Sequence, residues 1–470
     1  MTTPYYITTA INYTNGPPHI GHAYEAVIAD VIARYYRSIG HDVYFLTGTD
    51  EHGQKIATTA KRMNMTPQEL CDSMVAKFKD LNQRLCISND GFIRTTDPHH
   101  EDFCKELWTR CAHDIYLSEY EGWYDEKEET FVSDMKAKLS DYKNEIGDPL
   151  KRAKEPCYYF RLSKYKEQLI DHITNNPNFI IPTRYYSEVL DLLNDIDDLC
   201  ISRTTCKWGV CVPDGFDQSH VMYVWFDALA NYLSGIGGAE SIYWPANTHI
   251  IGKDIVKFHS VYWPAFLWSA GIELPKSIVC HGFIHDSKGA KMSKSVGNVV
   301  DPFDMLDRYP VDSIRGYMCY DALLGMDLKY DEKRLIDFHN NIMGHNFGNL
   351  VKRTVHLLDK YKNESTSSSH DSNIEPPYNI ETLKDTIHQH MSRYELKQAL
   401  CVILKASADT NEWLTRLAPW KNADNRYMIL RILDVAVQTL AKSLGPFMPS
   451  IDIKSKGVLF PSYQMLSNSL

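Results

Sequence analysis

His19-Ile20-Gly21-His22 sets two imidazoles three residues apart around a glycine, just ahead of a run with helical spacing. At a helix start, imidazole N–H groups and unpaired backbone amides together make a natural cradle for phosphate oxygens. Gly21 would let a flat ring come close to the backbone. The same four residues also read as ordinary polar groups at a helix start, and alone they do not decide. Lys291-Met292-Ser293-Lys294-Ser295 follows Asp286-Ser287-Lys288-Gly289 and precedes Gly297-Asn298. A loop flanked by such small residues can move, and its two lysines could clamp the charge developing on a triphosphate. By itself it reads equally as a solvated basic loop. Asp50 closes an apolar run in Gly48-Thr49-Asp50-Glu51-His52-Gly53. Buried, it would need a cation; otherwise it is a helix N-cap.

These residues fall at the junctions of a repeated strand–helix pattern. Tyr5 to Thr9 is a β-type run that ends in the turn-rich stretch Asn12 to Pro18. Tyr24, Val27, Ile28, Val31, Ile32 and Tyr35 then recur at helical spacing. Val43 to Leu46 is a short apolar run of the kind a buried parallel strand shows. The order returns as Thr248 to Ile251 (strand), Ile255 to Ser269 (helix) and Ser277 to Phe283 (strand). Two such halves imply a doubly wound parallel sheet, which binds ligands at the carboxyl ends of its strands. From Tyr116 to Arg203 the chain is rich in Tyr, Lys, Asp and Glu and reads as an inserted α+β subdomain. After Asp331 the pattern is helical, notably over Leu335 to Tyr361 and Leu383 to Trp413, with a low-complexity break at Asn363 to Pro377.

Composition bounds the rest. The 470 residues exceed one ordinary domain, and 44% apolar with 23% charged residues is normal for a globular protein. The net charge of −10 is uneven: from Leu335 onward there are 15 basic and 13 acidic residues, so a binding patch could lie in the last third. None of the 11 cysteines forms a CxxC pair, which favours buried thiols over disulfides or metal ligands. No membrane span or targeting segment is expected, so the protein reads as cytoplasmic.

HIGH followed by KMSKS, in that order on a split sheet, resembles the class I aminoacyl-tRNA synthetases. Three further segments resemble the methionyl-tRNA synthetases in particular. They are Ala10-Ile11-Asn12-Tyr13-Thr14-Asn15-Gly16, the Gly48 to Gly53 turn, and Tyr223-Val224-Trp225-Phe226-Asp227-Ala228 with Gly252-Lys253-Asp254-Ile255-Val256-Lys257-Phe258-His259. The resemblance runs from Tyr5 to about Phe460. It implies an ATP-dependent ligase that forms methionyl-adenylate with Mg2+ and then charges tRNA(Met). It implies a methionine pocket of Ile11, Tyr13, Asp50, Trp225, Ala228, Tyr232, Ile255 and His259, with Asp50 on the ammonium group. A soft thioether suits such aromatic walls. ATP would meet His19, Gly21, His22, Glu25, Gly252, Asp254 and Lys294, with His19, His22, Lys291 and Lys294 catalytic. Arg203 matches an arginine near the family's active site. Asn349, Arg353 and Trp420 match its anticodon readers, with Trp420 placed at the start of a later helix.

The expected organisation is a Rossmann-type catalytic domain in two halves, 1–115 and 206–285, split by the insertion 116–205. The KMSKS and stem-contact region follows at 286–334, and a helical anticodon-binding bundle at 335–470. Many relatives carry a zinc knuckle in the insertion; here that segment holds only Cys157 and Cys200, so no zinc is expected. Its fold would rest on Trp123, Tyr124, Tyr158, Tyr159 and Phe160. A monomer is expected. Rival readings are another class I synthetase, a small nucleotidyltransferase and a catalytically silent tRNA-binding protein. The first would need an editing domain for which the chain has no room, or zinc ligands it lacks. The second would have no use for a helical C-terminal third, and the third would not need intact His19, His22, Asp50 and Lys294.

Overall fold

The computed structural model describes residues 2–125, 130–132, 134–144, 147–292, 298–363, 374–453 and 459–462. Two compact units emerge, and neither is continuous in sequence. The first comprises residues 1–18, 40–82 and 88–281; the second comprises 19–39, 83–87 and 282–470.

The first unit is built on a seven-stranded parallel sheet. Its order is Asn12–Tyr13, Asp42–Asp50, Pro4–Thr9, Thr248–Gly252, Ile278–His281 and Ile180–Ile181, and Gly91–Arg94 pairs with Asp42–Asp50 as well. Tyr6, Ile7, Phe45, Ile250, Ile251, Ile278 and Val279 are wholly buried, as strands covered on both faces require. The first strand pairs with Asp42–Asp50 on one side and Thr248–Gly252 on the other, Ile7 facing both Phe45 and Thr248 in register. The strand order therefore reverses there, at the position where doubly wound sheets open a crevice. Gly48 is demanded by packing: a Cβ on it would lie 2.1 Å from the Ile93 carbonyl oxygen, so any side chain would push the neighbouring strand away.

The insertion forms a four-stranded antiparallel sheet in the order Thr130–Val132, Ile115–Asp125, Lys151–Phe160 and Leu199–Cys200. Its long hairpin runs in register from Ile115 opposite Phe160 to Tyr124 opposite Lys151. Phe160 and Tyr158 reach the main core, Phe160 edge-on to Phe266 and Tyr158 edge-on to Trp108. Trp123 lies 4.7 Å from the Tyr142 ring and under the Arg152 guanidinium. The same segment returns one strand, Ile180–Ile181, to the parallel sheet.

One expectation needs correction. Ile255 to Ser269 is not a single regular helix. It opens as a 3-10 turn, Lys253–Ile255, widens to a π-type turn, Phe258–Tyr262, and becomes α-helical only over Trp263–Ser269. Pro264 sits in the first turn of the α segment and has no N–H to donate to the turn before it.

The second unit is helical: Ile20–Ser38, Pro302–Arg308, Val311–Asp321, Glu332–Asp337, Asn349–Lys360, Ile380–Met391, Leu396–Leu417 and Arg426–Leu444. A π-type stretch, Phe338–Gly348, joins the fourth helix to the fifth. The expected run from Leu383 to Trp413 is broken at residues 392–395, where Tyr394 adopts a left-handed φ of 59°. Most of the low-complexity segment, 364–373, lies outside the described residues. At the centre of this unit Arg315 is fully buried. It donates to Asp30 Oδ2 at 2.7 Å and to the carbonyls of Leu85, Pro446 and Phe447 at 2.9–3.1 Å, tying together three distant stretches of chain. Breaking a buried pair costs about 3–5 kcal/mol; Asp30 Oδ2 would keep its bond from Arg34 Nε at 2.7 Å, but the three carbonyls would lose their donor. Arg315→Met should therefore lower the unfolding free energy by about that amount, as measured by urea denaturation. A loss below about 1 kcal/mol would mean the clamp is dispensable.

Candidate active site

Within the first unit aromatic side chains from two elements pack against one another. Helix Val224–Ser234 presents Trp225, Ala228 and Tyr232 at i, i+3 and i+7, hence on one face. The π-type turn supplies the facing residues. Phe258 stacks on Trp225 with ring centres 3.7 Å apart and planes 5° from parallel. His259 lies edge-on to Trp225 at 6.2 Å, and its Nε2 is 2.6 Å from the Tyr232 hydroxyl. His259 Nδ1 lies 3.0 Å from the Ile255 carbonyl, so Nδ1 carries the ring proton and the tyrosine donates to Nε2. The structure thus brings together Trp225, Tyr232, Ile255 and His259, with Ala228 on the same helix face. Tyr13 and Asp50 are paired in register on adjacent strands, and Thr14 donates to the Asp50 carbonyl through both its amide and its hydroxyl at 3.1 Å. Ile11, Trp225 and Ile255 each pack against the main core, whereas Tyr13 packs against a separate small cluster around Ile56, Leu70 and Phe78.

His249 was missed by the sequence reading. It stacks beneath Tyr232 at 4.0 Å, and its Nδ1 lies 2.8 Å from the Thr8 hydroxyl. Its sequence signal was a histidine within the short strand Thr248–Gly252. Burial pushes the pKa of His259 down to about 4, and that of His249 well below its ordinary value. Between pH 6.5 and about 4 the unfolded chain therefore binds protons that the folded chain refuses, so stability rises with pH across that window. The melting temperature should fall on acidification from pH 7 to pH 4, and His259→Phe should flatten part of that slope. An unchanged slope would assign it to other groups.

Two further residues lie in the Gly48–Gly53 and Tyr223–Ala228 segments with no role expected of them, and a third carries no signal in the sequence. His52 Nδ1 and His100 Nε2 each lie 2.7 Å from a different oxygen of the buried Asp227 carboxylate. Burial opposes the charge on Asp227, yet the imidazoles hold its pKa at about 2. Burial likewise opposes a proton on His52, but the charge of Asp227 raises its pKa above the ordinary value. Cys104 Sγ sits 3.2 Å from His100 Nε2. His100, Cys104 and Asp227 form a trio of possible metal donors within 4.8 Å of one another, outside the insertion, and hydrogen bonding among them accounts for their approach. Arg203 is buried against Glu155 at 3.6 Å, with its guanidinium 4.5 Å from the Tyr124 ring.

His19 is the N-cap of helix Ile20–Ser38, and its Nδ1 accepts from the Gly21 amide at 3.1 Å. His22 Nδ1 accepts from the His19 amide at 3.1 Å, completing a capping box made of two histidines, and the rings stack at 3.7 Å. With both Nδ1 atoms accepting, each neutral ring carries its proton on Nε2 and presents a donor there. A Cβ on Gly21 would meet the His19 ring at 3.0 Å. Glu25 follows on the same helix, partly buried. In the first unit Gly252 ends its strand, and Asp254 is exposed on the 3-10 turn Lys253–Ile255. Lys291 is exposed; its carbonyl accepts from Asn298 Nδ2, which also donates to Asp286. Lys294 lies outside the described residues.

In the helical unit a cavity of about 760 Å³ is lined by Asn349, Arg353, Asn411 and Thr415, among others. Arg353 donates to Asn411 Oδ1 at 3.2 Å and to the Thr415 hydroxyl at 3.0 Å, and its guanidinium lies 5.9 Å from the Trp420 ring. Trp420 does not start a helix as expected. Ala418 turns left-handed at φ 40° and ends helix Leu396–Leu417, and Pro419 cannot continue it. Trp420 is left in the connecting turn, 38% exposed, while the nearby Trp413 is the core residue at 3%.

A doubly wound sheet with an antiparallel insertion, a histidine-capped signature helix and a helical C-terminal unit define a class of protein. The family model described as "tRNA synthetases class I (M)" matches residues 5–141 and 136–355, and the chain belongs to that family. Within it the chain groups with the methionine–tRNA ligases. The ligase of Rhizobium meliloti is 40% identical over 95% of this chain and 90% of its own length. That of Mycobacterium bovis is 41% identical over 89% and 83%. Methionyl-tRNA synthetase of Mycobacterium tuberculosis in complex with methionyl-adenylate superposes with a TM-score of 0.87 at 38% identity, covering 96% of this chain and 92% of that one. The apo form of that enzyme gives 0.83 at 33% identity and 99% coverage of both chains.

Proposed function

We propose that this chain is a methionine–tRNA ligase that converts L-methionine and ATP to methionyl-adenylate and pyrophosphate, then esterifies the 3′ end of tRNA(Met). The observation that carries the reading is the Trp225–Phe258 and Tyr232–His259 cluster, whose helix is tied to the Asp50 turn by the Asp227–His52 contact, in a fold shared with a relative described with methionyl-adenylate. The aromatic walls and the Tyr232 hydroxyl suit an unbranched thioether. Asp50 is the counter-ion of the ammonium group, and Ile11, Tyr13, Ala228 and Ile255 complete the enclosure. The amino acid's carboxylate attacks the α-phosphate and pyrophosphate departs. The chain's part is to hold the reactants in line and stabilise the crowded negative charge. His19 and His22 donate through Nε2, Gly21 admits the close approach, Glu25 lies on the nucleotide side, and Lys291 and Lys294 act on the polyphosphate. Gly252 and Asp254 serve the nucleoside, Asp254 through the ribose hydroxyls. ATP enters as its magnesium complex.

The division of labour follows the organisation expected above. Residues 1–115 and 206–285 bind the small substrates, 116–205 is the connective insertion, 286–334 carries the Lys291–Ser295 segment, and 335–470 reads the anticodon with Asn349, Arg353 and Trp420. The chain works as a cytoplasmic monomer and holds no zinc, its insertion resting on aromatic and cation–π packing. Methionine-dependent exchange of pyrophosphate into ATP, requiring magnesium and no tRNA, tests the assignment. Exchange supported by another amino acid with methionine inert would overturn it. Elemental analysis of the same sample should find well under one equivalent of zinc.

A further inference from the structure

Between the Asp50 turn and the pocket helix lies a hydrogen-bonded network, centred on Asp227, to which no role has been assigned. Asp227 sits on helix Val224–Ser234, two residues after Trp225 and one before Ala228. Its Oδ2 meets His52 Nδ1, and its Oδ1 meets His100 Nε2, both at 2.7 Å; the other nitrogen of His100 lies 2.7 Å from the Ser234 hydroxyl on the same helix. His100 thus braces the helix at two points seven residues apart, and His52 reaches out to the turn. The residue between Asp50 and His52 is held too. Glu51 takes a bidentate pair of 2.8 Å bonds from Arg94, together with the hydroxyls of Thr49 at 2.6 Å and Thr96 at 2.7 Å. Two residues of chain span at most about 7 Å. With Glu51 and His52, the two residues that follow it, both held, Asp50 has little slack relative to Trp225 and Ala228.

We propose that Asp227 and His52 are a positioning pair for methionine: their contact fixes the ammonium-binding turn against the helix that carries the aromatic walls. In this role the pair acts through the turn and the helix it joins, not by contact with substrate. It sets the distance between the two ends of the amino acid, and a displacement of about 1 Å in such an arrangement is enough to cost up to a hundredfold. The inference rests on the pocket reading given above.

The test is pyrophosphate exchange by the full chain with methionine and ATP varied separately, alongside melting temperature. Asp227→Asn keeps the volume and one acceptor but removes the charge that draws His52. It should raise the KM for methionine at least tenfold, leave that for ATP within about twofold, and keep the protein folded. His52→Gln, which retains a donor, should restore much of what His52→Ala loses. A methionine KM unchanged in folded Asp227→Asn, or methionine and ATP KM values rising together, would overturn the proposal. If Asp227→Asn does not fold, the two His52 variants decide by the same split. Failure of all three to fold would reduce the pair to plain structure and overturn the proposal as well. Asp50→Asn separates the two levels. If it leaves the methionine KM unchanged, the pocket reading itself fails; if it raises that KM while Asp227→Asn does not, only the positioning role fails.

Discussion

Replacing His22 by alanine should slow methionyl-adenylate formation by about two to four orders of magnitude if, as proposed, it donates mainly in the transition state. The geometry explains why the ring is ready for that work. His22 Nδ1 already accepts from the His19 amide, so the ring is held in the tautomer that carries its proton on Nε2. The neighbouring ring of His19 is fixed in the same way by the Gly21 amide, and the two stack at 3.7 Å. No rearrangement is needed when charge builds on the phosphate. The same contacts give His22 a second job, since loss of a helix cap costs about 1 kcal/mol of stability. His22→Gln separates the two roles. Glutamine at the third helical position can still reach the cap amide, so that variant should melt near the parent and yet lose most of the rate. Single-turnover adenylate formation and melting temperature on both variants decide the matter. A raised KM for ATP with unchanged kcat would contradict a transition-state role.

Trp420→Ala should raise the KM for tRNA by about ten- to a hundredfold while leaving pyrophosphate exchange nearly untouched. One base stacked on an aromatic face is worth roughly 1–3 kcal/mol, which corresponds to that range. Truncating a buried tryptophan would instead cost about 3–5 kcal/mol of stability. Trp420 stands 38% exposed in a turn, so a small change in melting temperature is expected. Trp413 supplies the contrast: it is buried, its indole N–H donates to the Glu375 carbonyl, and Trp413→Ala should destabilise the helical unit. Arg353 reaches Asn411, Thr415 and the Trp420 ring, so its replacement by lysine should also weaken charging, by losing the planar fork. Normal charging by Trp420→Ala, or joint failure of exchange and folding, would remove the anticodon role.

Much of this protein was legible in its sequence because the informative features are local. Alternating apolar runs and helical spacing place the strands Pro4–Thr9, Asp42–Asp50 and Thr248–Gly252 and the helix Ile20–Ser38. Turn chemistry puts the imidazoles of His19 and His22 at that helix's start. The spacing of Trp225, Ala228 and Tyr232 is a property of any helix and needs no partner to be read. What the sequence could not show depends on groups far apart in the chain. Asp227 meets His52 across 175 positions and His100 across 127, and nothing local marks a carboxylate as the partner of an imidazole so distant. Arg315 and Asp30, 285 positions apart, look like solvated charges until the fold buries both. The π-type turn that aims Phe258 and His259 at the helix face is equally invisible, since apolar spacing cannot tell it from a regular helix. Local periodicity therefore determined the sheet, the signature helix and the pocket's residue types. Only the tertiary structure decided which charges are buried and which of them pair, because desolvation and hydrogen bonding depend on neighbours that the chain order does not reveal.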